Sequence, residues 1–157
     1  MNEIKSQENI SKKLSNEYIR GLITGEGCFS FCTIGRKGDI KKPKIPAFIL
    51  SMSIQDKELI ILIRETLSLK NRIYEYGPRI AKDRYNRQKM ITLIVRDFGQ
   101  LKNIIVPLFY KKLEGHKAQQ FEEWLEKIGN DPDVPERYKF IYKLHKVGFY
   151  DKNPKFL

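Results

Sequence analysis

Glu26 is the acidic residue with the most unusual setting in this sequence. It lies in the stretch GLITGEGCFS, residues 21–30, which reads as the end of an apolar helix, an acid, a glycine and then a strand. A carboxylate in the last turn of a helix lies at the negative end of the helix dipole, which costs about 0.3–1 kcal/mol. Two interpretations are open here: either Gly27 forms a left-handed cap beside a solvated acid, or Glu26 has a role that outweighs this cost.

A second group of residues has the chemistry of a nucleic-acid surface. Polar and aromatic side chains recur on one face of the strands expected below, namely Ser30, Cys32, Ser51, Ser53, Gln55, Arg72, Tyr74, Tyr76 and Thr92. The turns between those strands carry Arg36, Lys37, Lys41, Lys42 and Lys44, and then Arg79, Lys82, Arg84, Arg87 and Lys89. Such cations would contact phosphates while a β-ribbon enters a major groove. A solvated sheet with basic turns is the alternative, and the tyrosines could also stack on single-stranded RNA.

The spacing of apolar residues predicts the elements that must position these two groups. Helical spacing begins near Ser15 or Asn16, and alternation over residues 29–33 and 47–55 predicts a hairpin. There follow a helix capped by Asp56, strands at 72–76 and 91–95, a short helix from Asp97 that ends before Pro107, a helix over about 115–128 and a last helix that starts near Pro135. The predicted fold is α+β, in the order αββαββα plus a C-terminal helix, with helices on one face of a four-stranded antiparallel saddle-like sheet. We expect residues 1–14 to be a flexible lead-in and 15–157 to be a single domain.

The composition favours a polyanionic partner. The 157 residues include 30 Lys and Arg against 19 Asp and Glu, a net charge of +11. The polar start and the lack of a run of about 20 apolar residues predict an intracellular protein, of a bacterial or archaeal cytoplasm or an organelle, that is not secreted and has no membrane partner. Cys28 and Cys32 lie about 13 Å apart along one predicted strand, too far for a disulfide or a shared zinc ion.

Three segments resemble the LAGLIDADG homing endonucleases, in their single-motif homodimeric type. The defining motif is similar to YIRGLITGEGCFSF at residues 18–31, and QDKELI (55–60) and VPLFYKKLEGHKAQQF (106–121) fall where the family has their equivalents. The resemblance covers roughly residues 15–128. It implies an intron-encoded enzyme that binds a long pseudo-palindromic double-stranded DNA site as a homodimer and hydrolyses one phosphodiester per strand with Mg²⁺. Ca²⁺ is then expected to support binding without cleavage.

The resemblance also implies roles for individual residues. Glu26 would bind the metal, with the Gly25 carbonyl as a second ligand, while Thr24 replaces an acid that is not generally a ligand. Lys112, or alternatively Lys117, would support the charge of the transition state, and Gln55, or Ile54 if the strand parity differs, would order the attacking water. The groove for a second subunit would be formed by Tyr18, Gly21, Leu22 and Gly25.

The predicted DNA contacts fall into two classes. Arg72, Tyr74 and Tyr76 are expected to discriminate bases, and Lys41, Lys42 and Arg84 are expected to contact mainly phosphates. A relative without catalysis, acting as an intron RNA maturase or a DNA-binding regulator, is the alternative function. An unrelated basic RNA-binding protein is a weaker alternative, because it leaves the Gly-Glu-Gly helix end unexplained.

Overall fold

The computed structural model describes residues 12–80 and 86–156. Its helices are α1 (Asn16–Glu26), α2 (Lys57–Thr66), α3 (Phe98–Gln100), α4 (Val106–Phe109), α5 (Gly115–Asn130), α6 (Glu136–Lys146) and α7 (Phe149–Lys152). Its strands are β1 (Gly27–Thr33), β2 (Lys44–Ser53), β3 (Ile73–Tyr76), β4 (Arg79–Ile80), β5 (Asn86–Arg87) and β6 (Met90–Val95). A 3-10 turn (Ile54–Asp56) joins β2 to α2, and a π-helical stretch (Leu101–Ile105) joins α3 to α4.

The four longer strands form one antiparallel sheet in the order β1-β2-β6-β3, and β4 and β5 pair as a separate ribbon between β3 and β6. The register places Phe29 opposite Phe48, and Phe48 opposite Val95. Because directly paired residues of an antiparallel sheet share a face, these three side chains all lie on the helix side. The opposite face, called here the outer face, carries the alternate residues.

Phe29 lies at the centre of the aromatic core between sheet and helices. Its ring centroid lies 4.9–5.7 Å from those of Phe48, Phe109, Phe121 and Trp124. The Trp124 indole N–H also donates to the Ser30 carbonyl over 2.8 Å. The core of the protein therefore fastens α5 to β1 within a few residues of Glu26.

The predicted fold class is confirmed, including the antiparallel sheet, the helices on one face and the C-terminal helix. The Asp97 cap is also confirmed, since its carboxylate accepts from the Gln100 N–H over 3.0 Å. Whether residues 15–157 are a single domain stays a prediction. The predicted lead-in lies mostly outside the described residues, as do Lys82 and Arg84.

The prediction that the helix after Asp97 ends before Pro107 is wrong. The helical path continues through the π-helical stretch into α4, which carries Pro107 in its first turn. The Val106 N–H bonds to the Leu101 carbonyl, five residues back. Pro107 has no N–H to donate and its ring crowds the preceding turn, and the wider π turn accommodates both properties.

The predicted end of the second strand is also wrong. β2 ends at Ser53, so that Gln55 lies in the 3-10 turn. The reason is local: the Ser53 hydroxyl accepts from the Gln55 N–H over 3.4 Å and competes with the strand ladder. Asp56 precedes α2 but makes no side-chain cap hydrogen bond. Among the described helices, none combines the length and the apolar character that a bilayer crossing needs.

Candidate active site and nucleic-acid interface

The end of α1 presents Glu26 at an abrupt change from helix to strand. Gly27 has extended backbone angles (φ −78°, ψ 160°), so the left-handed cap considered above is not formed. A Cβ atom at Gly27 would lie 2.4 Å from the Ile23 Cγ2 atom, and only glycine allows this close approach. Glu26 itself is exposed and, in the part of the chain that the structure describes, has no hydrogen-bond or ion-pair partner. Its carboxylate is therefore free to bind a ligand.

One side of α1, called here the groove face, is largely uncovered by the described residues, although Leu22 in it is half-buried against the core. It consists of Tyr18, Gly21, Leu22 and Gly25. Tyr18 is 48% exposed, and a Cβ atom built at Gly21 or Gly25 meets nothing within 4 Å. The other side of the helix is closed, because Ile19 and Ile23 are fully buried. The groove face can thus receive another backbone at short range.

The structure brings Lys117 rather than Lys112 to the end of α1. The Lys117 ammonium donates to the Gly27 carbonyl, one residue after Glu26, and to the Gln120 side chain over 3.2 Å. Lys112 is exposed and lines a cavity between α4 and α7, together with Pro107 and Tyr150. The second of the two predicted lysines is therefore the one that the fold places beside the acid.

Neither candidate for the water-ordering residue is settled by its position. Gln55 is exposed in the 3-10 turn, and Ile54 is half-buried against the core, where its N–H donates to the Lys89 carbonyl over 2.9 Å. Of the two, only Gln55 has a polar side chain. Its role in ordering water stays a prediction. Thr24 is occupied locally, since its hydroxyl donates to the Arg20 carbonyl over 2.8 Å.

The outer face has a polar row across three strands. Register places Ser51, Thr92 and Tyr74 side by side, and the Ser51 and Thr92 hydroxyls are 2.7 Å apart. Thr92, predicted as an open contact, is instead 5% exposed because it lies on a central strand between these two neighbours. Ser51 is half-buried. The row therefore offers Tyr74 and Ser51 more readily than Thr92.

Arg72, Tyr74 and Tyr76 form one continuous stack at the edge of the outer face. The Arg72 guanidinium lies 5.4 Å from the Tyr74 ring centre, and the two tyrosine rings are 6.2 Å apart and nearly parallel, at 25°. Cation-π contact and stacking restrict the rotamers of all three side chains. Such a stack can present donors and aromatic edges to bases without a large ordering cost.

The remaining outer-face side chains are smaller. Ser30 and Cys32 are half-buried on β1, and the Ser53 hydroxyl donates to the Gln88 side chain over 2.9 Å. Cys28, Ile49 and Ile94 share one apolar row of this face, and of the three the alternation along β2 predicts only Ile49. The strict alternation of β2 places Ile49 opposite in direction to Phe48 and Leu50, and this was the signal for it.

The predicted basic residues differ in how free they are. Arg36, Lys37, Lys41 and Lys42 are exposed in the turn between β1 and β2, where Gly38 takes a positive φ of 102°. Lys44, in contrast, pairs with Asp131 at 3.1 Å. The four exposed cations of this turn, which we call the first basic turn, are available for phosphates.

Lys89, which is predicted to contact DNA, is engaged in an ion pair within the chain. Its ammonium lies 2.8 Å from the Glu75 carboxylate, whose second oxygen accepts from Lys57 at 2.7 Å. Glu75 pairs with Ile91 in the sheet, so this cluster is on the helix side. Hydrogen bonds from Lys57 and then Lys89 lower the pKa of the Glu75 carboxyl to about 2. In the sequence, the position of Glu75 between two tyrosines of a strand indicates that its carboxylate faces the opposite side of the sheet from theirs.

Solved structures of homing endonucleases have the same fold. The I-LtrWI LAGLIDADG homing endonuclease, bound to target DNA, is 24% identical with a TM-score of 0.59, over 90% of this chain and 49% of that chain. The meganuclease I-SmaMI, bound to uncleaveable DNA, is 19% identical with a TM-score of 0.59, over 85% and 44%. The homing endonuclease I-TnaI is 16% identical with a TM-score of 0.58, over 92% and 100%.

The chain spans about half the length of I-LtrWI and I-SmaMI and the full length of I-TnaI. At these identities the likeness shows the fold. No curated protein matches the chain. The family model for the LAGLIDADG endonuclease matches residues 19–128, which include most of α1, the whole sheet and most of α5. The chain therefore belongs to the LAGLIDADG endonuclease family.

Proposed function

We propose that the protein is a site-specific homing endonuclease that binds double-stranded DNA as a homodimer and hydrolyses one phosphodiester in each strand with a divalent metal ion. The observation that carries this proposal is the end of α1. There the Glu26 carboxylate, which has no partner among the described residues, lies beside an open glycine-containing face and a lysine that donates to the carbonyl of Gly27. Each of the three would have a use in a site formed by two chains.

A homodimer would supply a second acid to the site. Within residues 12–80 and 86–156, no group of three or more His, Cys, Asp and Glu side chains could hold a metal ion. Two copies of α1 packed through the groove face would bring two Glu26 carboxylates together.

The donor set at this helix end fits Mg²⁺. Glu26 offers a free carboxylate, and the last turn of α1 has backbone carbonyls without helical donors, among them that of Gly25. These are the hard oxygen ligands that Mg²⁺ takes. When bound, a divalent cation supplies Lewis-acid polarisation of the phosphate and a more acidic water. It would also offset the repulsion between two facing acids.

We assign Lys117, not Lys112, to the charge that develops on the phosphate. The Lys117 ammonium bonds to the carbonyl of the residue that follows Glu26, and from this position it would stabilise oxygen atoms that gain negative charge. Its bond to the Gly27 carbonyl and to Gln120 fixes the ammonium before DNA arrives. Gln55 is proposed to order water from the exposed 3-10 turn.

The outer face and the first basic turn would hold the DNA. The stack of Arg72, Tyr74 and Tyr76 is proposed to read base edges, and the first basic turn to bind phosphates. Ser30, Cys32, Ser51 and Ser53 add small polar contacts between them. Arg84 lies outside the described residues, and its phosphate contact stays a proposal from the sequence.

Cleavage of a DNA library that spans candidate insertion sites tests this function. The protein should cut one sequence class with Mg²⁺, bind it without cutting with Ca²⁺, and lose cleavage with a chelator. Sedimentation at micromolar concentration should report twice the 18.6 kDa chain mass. Selective binding of single-stranded intron RNA without any cleavage of DNA would instead favour the maturase alternative.

A further inference from the structure

Arg20 is a charged residue that is buried within α1. Only 8% of its surface is exposed, and this burial lowers the pKa of its guanidinium, an effect partly opposed by the nearby Glu17. Burying a charge is unfavourable unless hydrogen bonds replace its water. An arginine retained at such a place in a short helix therefore needs specific partners.

The partners of Arg20 are two backbone carbonyls from different parts of the chain. Its Nε atom donates to the Leu108 carbonyl over 2.7 Å, and one terminal nitrogen donates to the Phe156 carbonyl over 2.5 Å. Leu108 belongs to α4, whereas Phe156 lies 136 residues further along the chain than Arg20. The guanidinium fork is planar and rigid, so two acceptors in fixed directions determine its orientation.

Arg20 holds α1 from behind the groove face. With about 100° of rotation per residue, its side chain lies roughly 160° around the helix from those of Tyr18 and Leu22. A constraint at this position resists rotation of the helix about its own axis. The direction of the groove face and that of Glu26 both depend on this rotation, which the bonds to Leu108 and Phe156 restrain together with the buried Ile19 and Ile23.

The last residues of the described chain are themselves fastened. The Lys155 ammonium donates to the Asn103 carbonyl over 2.9 Å, and the Asn153 amide donates to the Phe149 carbonyl over 2.8 Å. The Phe156 side chain packs against the core. These residues, which we call the C-terminal strap (153–156), lie beyond the 19–128 of the family match. The strap therefore gives Arg20 a fixed acceptor.

We propose that Arg20 is a positioning residue for the cleavage reaction. By bonding α4 and the C-terminal strap, it fixes the rotation of α1, and so places the groove face for pairing and Glu26 for metal binding. This inference rests on the proposed function, because rotation of α1 matters only if two copies pair and their acids meet. It adds the strap, outside the family match, to the architecture of the active site.

Arg20→Met tests the proposal, because methionine keeps apolar bulk but removes the charge and both donors. Arg64→Met is the matched control, since Arg64 of α2 also donates to a backbone carbonyl, that of Asn71, over 3.3 Å. We expect the two variants to have similar thermal midpoints. Arg20→Met should cleave about 10²-fold more slowly at saturating DNA and protein, the scale of a misplacement of about 1 Å. It should also need more Mg²⁺ for half-maximal cleavage and form a weaker dimer, and Arg20→Lys should recover part of each loss.

Each outcome decides the matter. A folded Arg20→Met variant with the wild-type cleavage rate, Mg²⁺ dependence and dimer affinity overturns the role of Arg20 and leaves the proposed function intact. A monomeric wild-type chain without metal-dependent cleavage overturns the proposed function, and the role of Arg20 with it. If Arg20→Met does not fold, a chain that ends at Asn153 keeps Arg20 but lacks the Phe156 carbonyl. Slower cleavage and a higher Mg²⁺ requirement by this folded chain support the proposal, and wild-type values for both overturn it.

Discussion

The two faces of the four-stranded sheet differ in how completely their side chains find partners within the chain. On the helix side, Phe29 and Phe48 are almost fully buried and contact other aromatic rings. On the outer face, Tyr76 is 39% exposed, and the cations of the first basic turn are open to solvent. Folding alone explains the first face. The exposed side chains of the second face are those to which we assign DNA binding.

Helix α1 has the same contrast between a buried side and an open side. Ile19, Ile23 and Arg20 are buried on one side, and Gly21 and Gly25 are open on the other. Two poor helix formers on an exposed side cost the isolated chain about 0.8–1 kcal/mol each. The difference teaches that stability and function use separate surfaces here, apart from the proposed role of Arg20, so most substitutions should alter one with little effect on the other.

Glu26→Gln should give the largest difference between the effect on cleavage and the effect on stability. Gln keeps the size and the hydrogen bonding but removes the charge, so cleavage should be abolished while the free energy of unfolding is unchanged or slightly increased, because the unfavourable dipole placement is lost. Binding of DNA without metal should persist or tighten, since two negative charges near the phosphates are removed. Cleavage and gel-shift titrations with Mg²⁺, Ca²⁺ and chelator measure this. Cleavage at the wild-type rate would mean that Glu26 is only a helix end.

Phe48→Ala should have the opposite effect, with a loss of stability and little change in cleavage per folded molecule. Phe48 is 1% exposed on the helix side, so its truncation leaves a cavity and should lower the free energy of unfolding by about 3–5 kcal/mol. Denaturant unfolding measures the loss. Cleavage per folded molecule, assayed in the cold, should stay near that of the wild type. If the folded variant lost as much cleavage as Glu26→Gln, the helix side of the sheet would also be needed for cleavage, and the contrast between the two faces would fail.

Two glycine substitutions compare an open position of a helix, Gly21, with a packed one, Gly129. At Gly21 a side chain meets open space, so Gly21→Ala should stabilise the isolated chain by up to about 1 kcal/mol. It should weaken the dimer at the same time, and a bulkier residue there should leave a monomer. At Gly129 a Cβ atom would lie 2.2 Å from the Tyr142 ring, so Gly129→Ala should destabilise the chain by about 1–3 kcal/mol. Unfolding and sedimentation of both variants check this, and an unchanged dimer in Gly21→Ala would move the pairing surface elsewhere.

Two classes of outer-face contact should be distinguishable by salt and by sequence. Arg72→Ala should cost about 1–3 kcal/mol at particular base pairs, whereas Lys41→Ala should weaken all sites alike and reduce the salt slope by about one. Affinities on a set of single-base variants, at several salt concentrations, measure both. Equal losses on every sequence for both variants would contradict the assignment of Arg72 to base reading.

The sequence predicted the parts of this contrast that depend on local spacing. Alternation identified both faces of β2, and the spacing of Gly21 and Gly25 identified the groove face. The choice between Lys112 and Lys117 was not local, because Lys111 takes a positive φ of 54° and turns the chain between α4 and α5. The Arg20 bonds span 88 and 136 residues, and the pairing of Glu75 with Lys57 depends on the strand register. Periodicity cannot report such contacts.

Glu75 should give the smallest effect, and one that depends on pH. Lys57 and Lys89 lower the pKa of its carboxyl from 4.5 to about 2, so the stability from this cluster is present above pH 4.5 and is lost as the pH falls towards 2. Glu75→Gln lacks it at every pH, so the difference in thermal midpoint between wild type and variant should shrink over that window. It should also shrink in about 1 M salt, where the Debye length is about 3 Å. Because the substitution frees Lys57 and Lys89, non-specific DNA binding should tighten slightly and its salt slope should rise by up to about one. A difference in thermal midpoint that stays constant from pH 6 to 2 would show that Glu75 acts through packing. It would also show that the charge of Glu75 does not keep Lys57 and Lys89 from binding DNA.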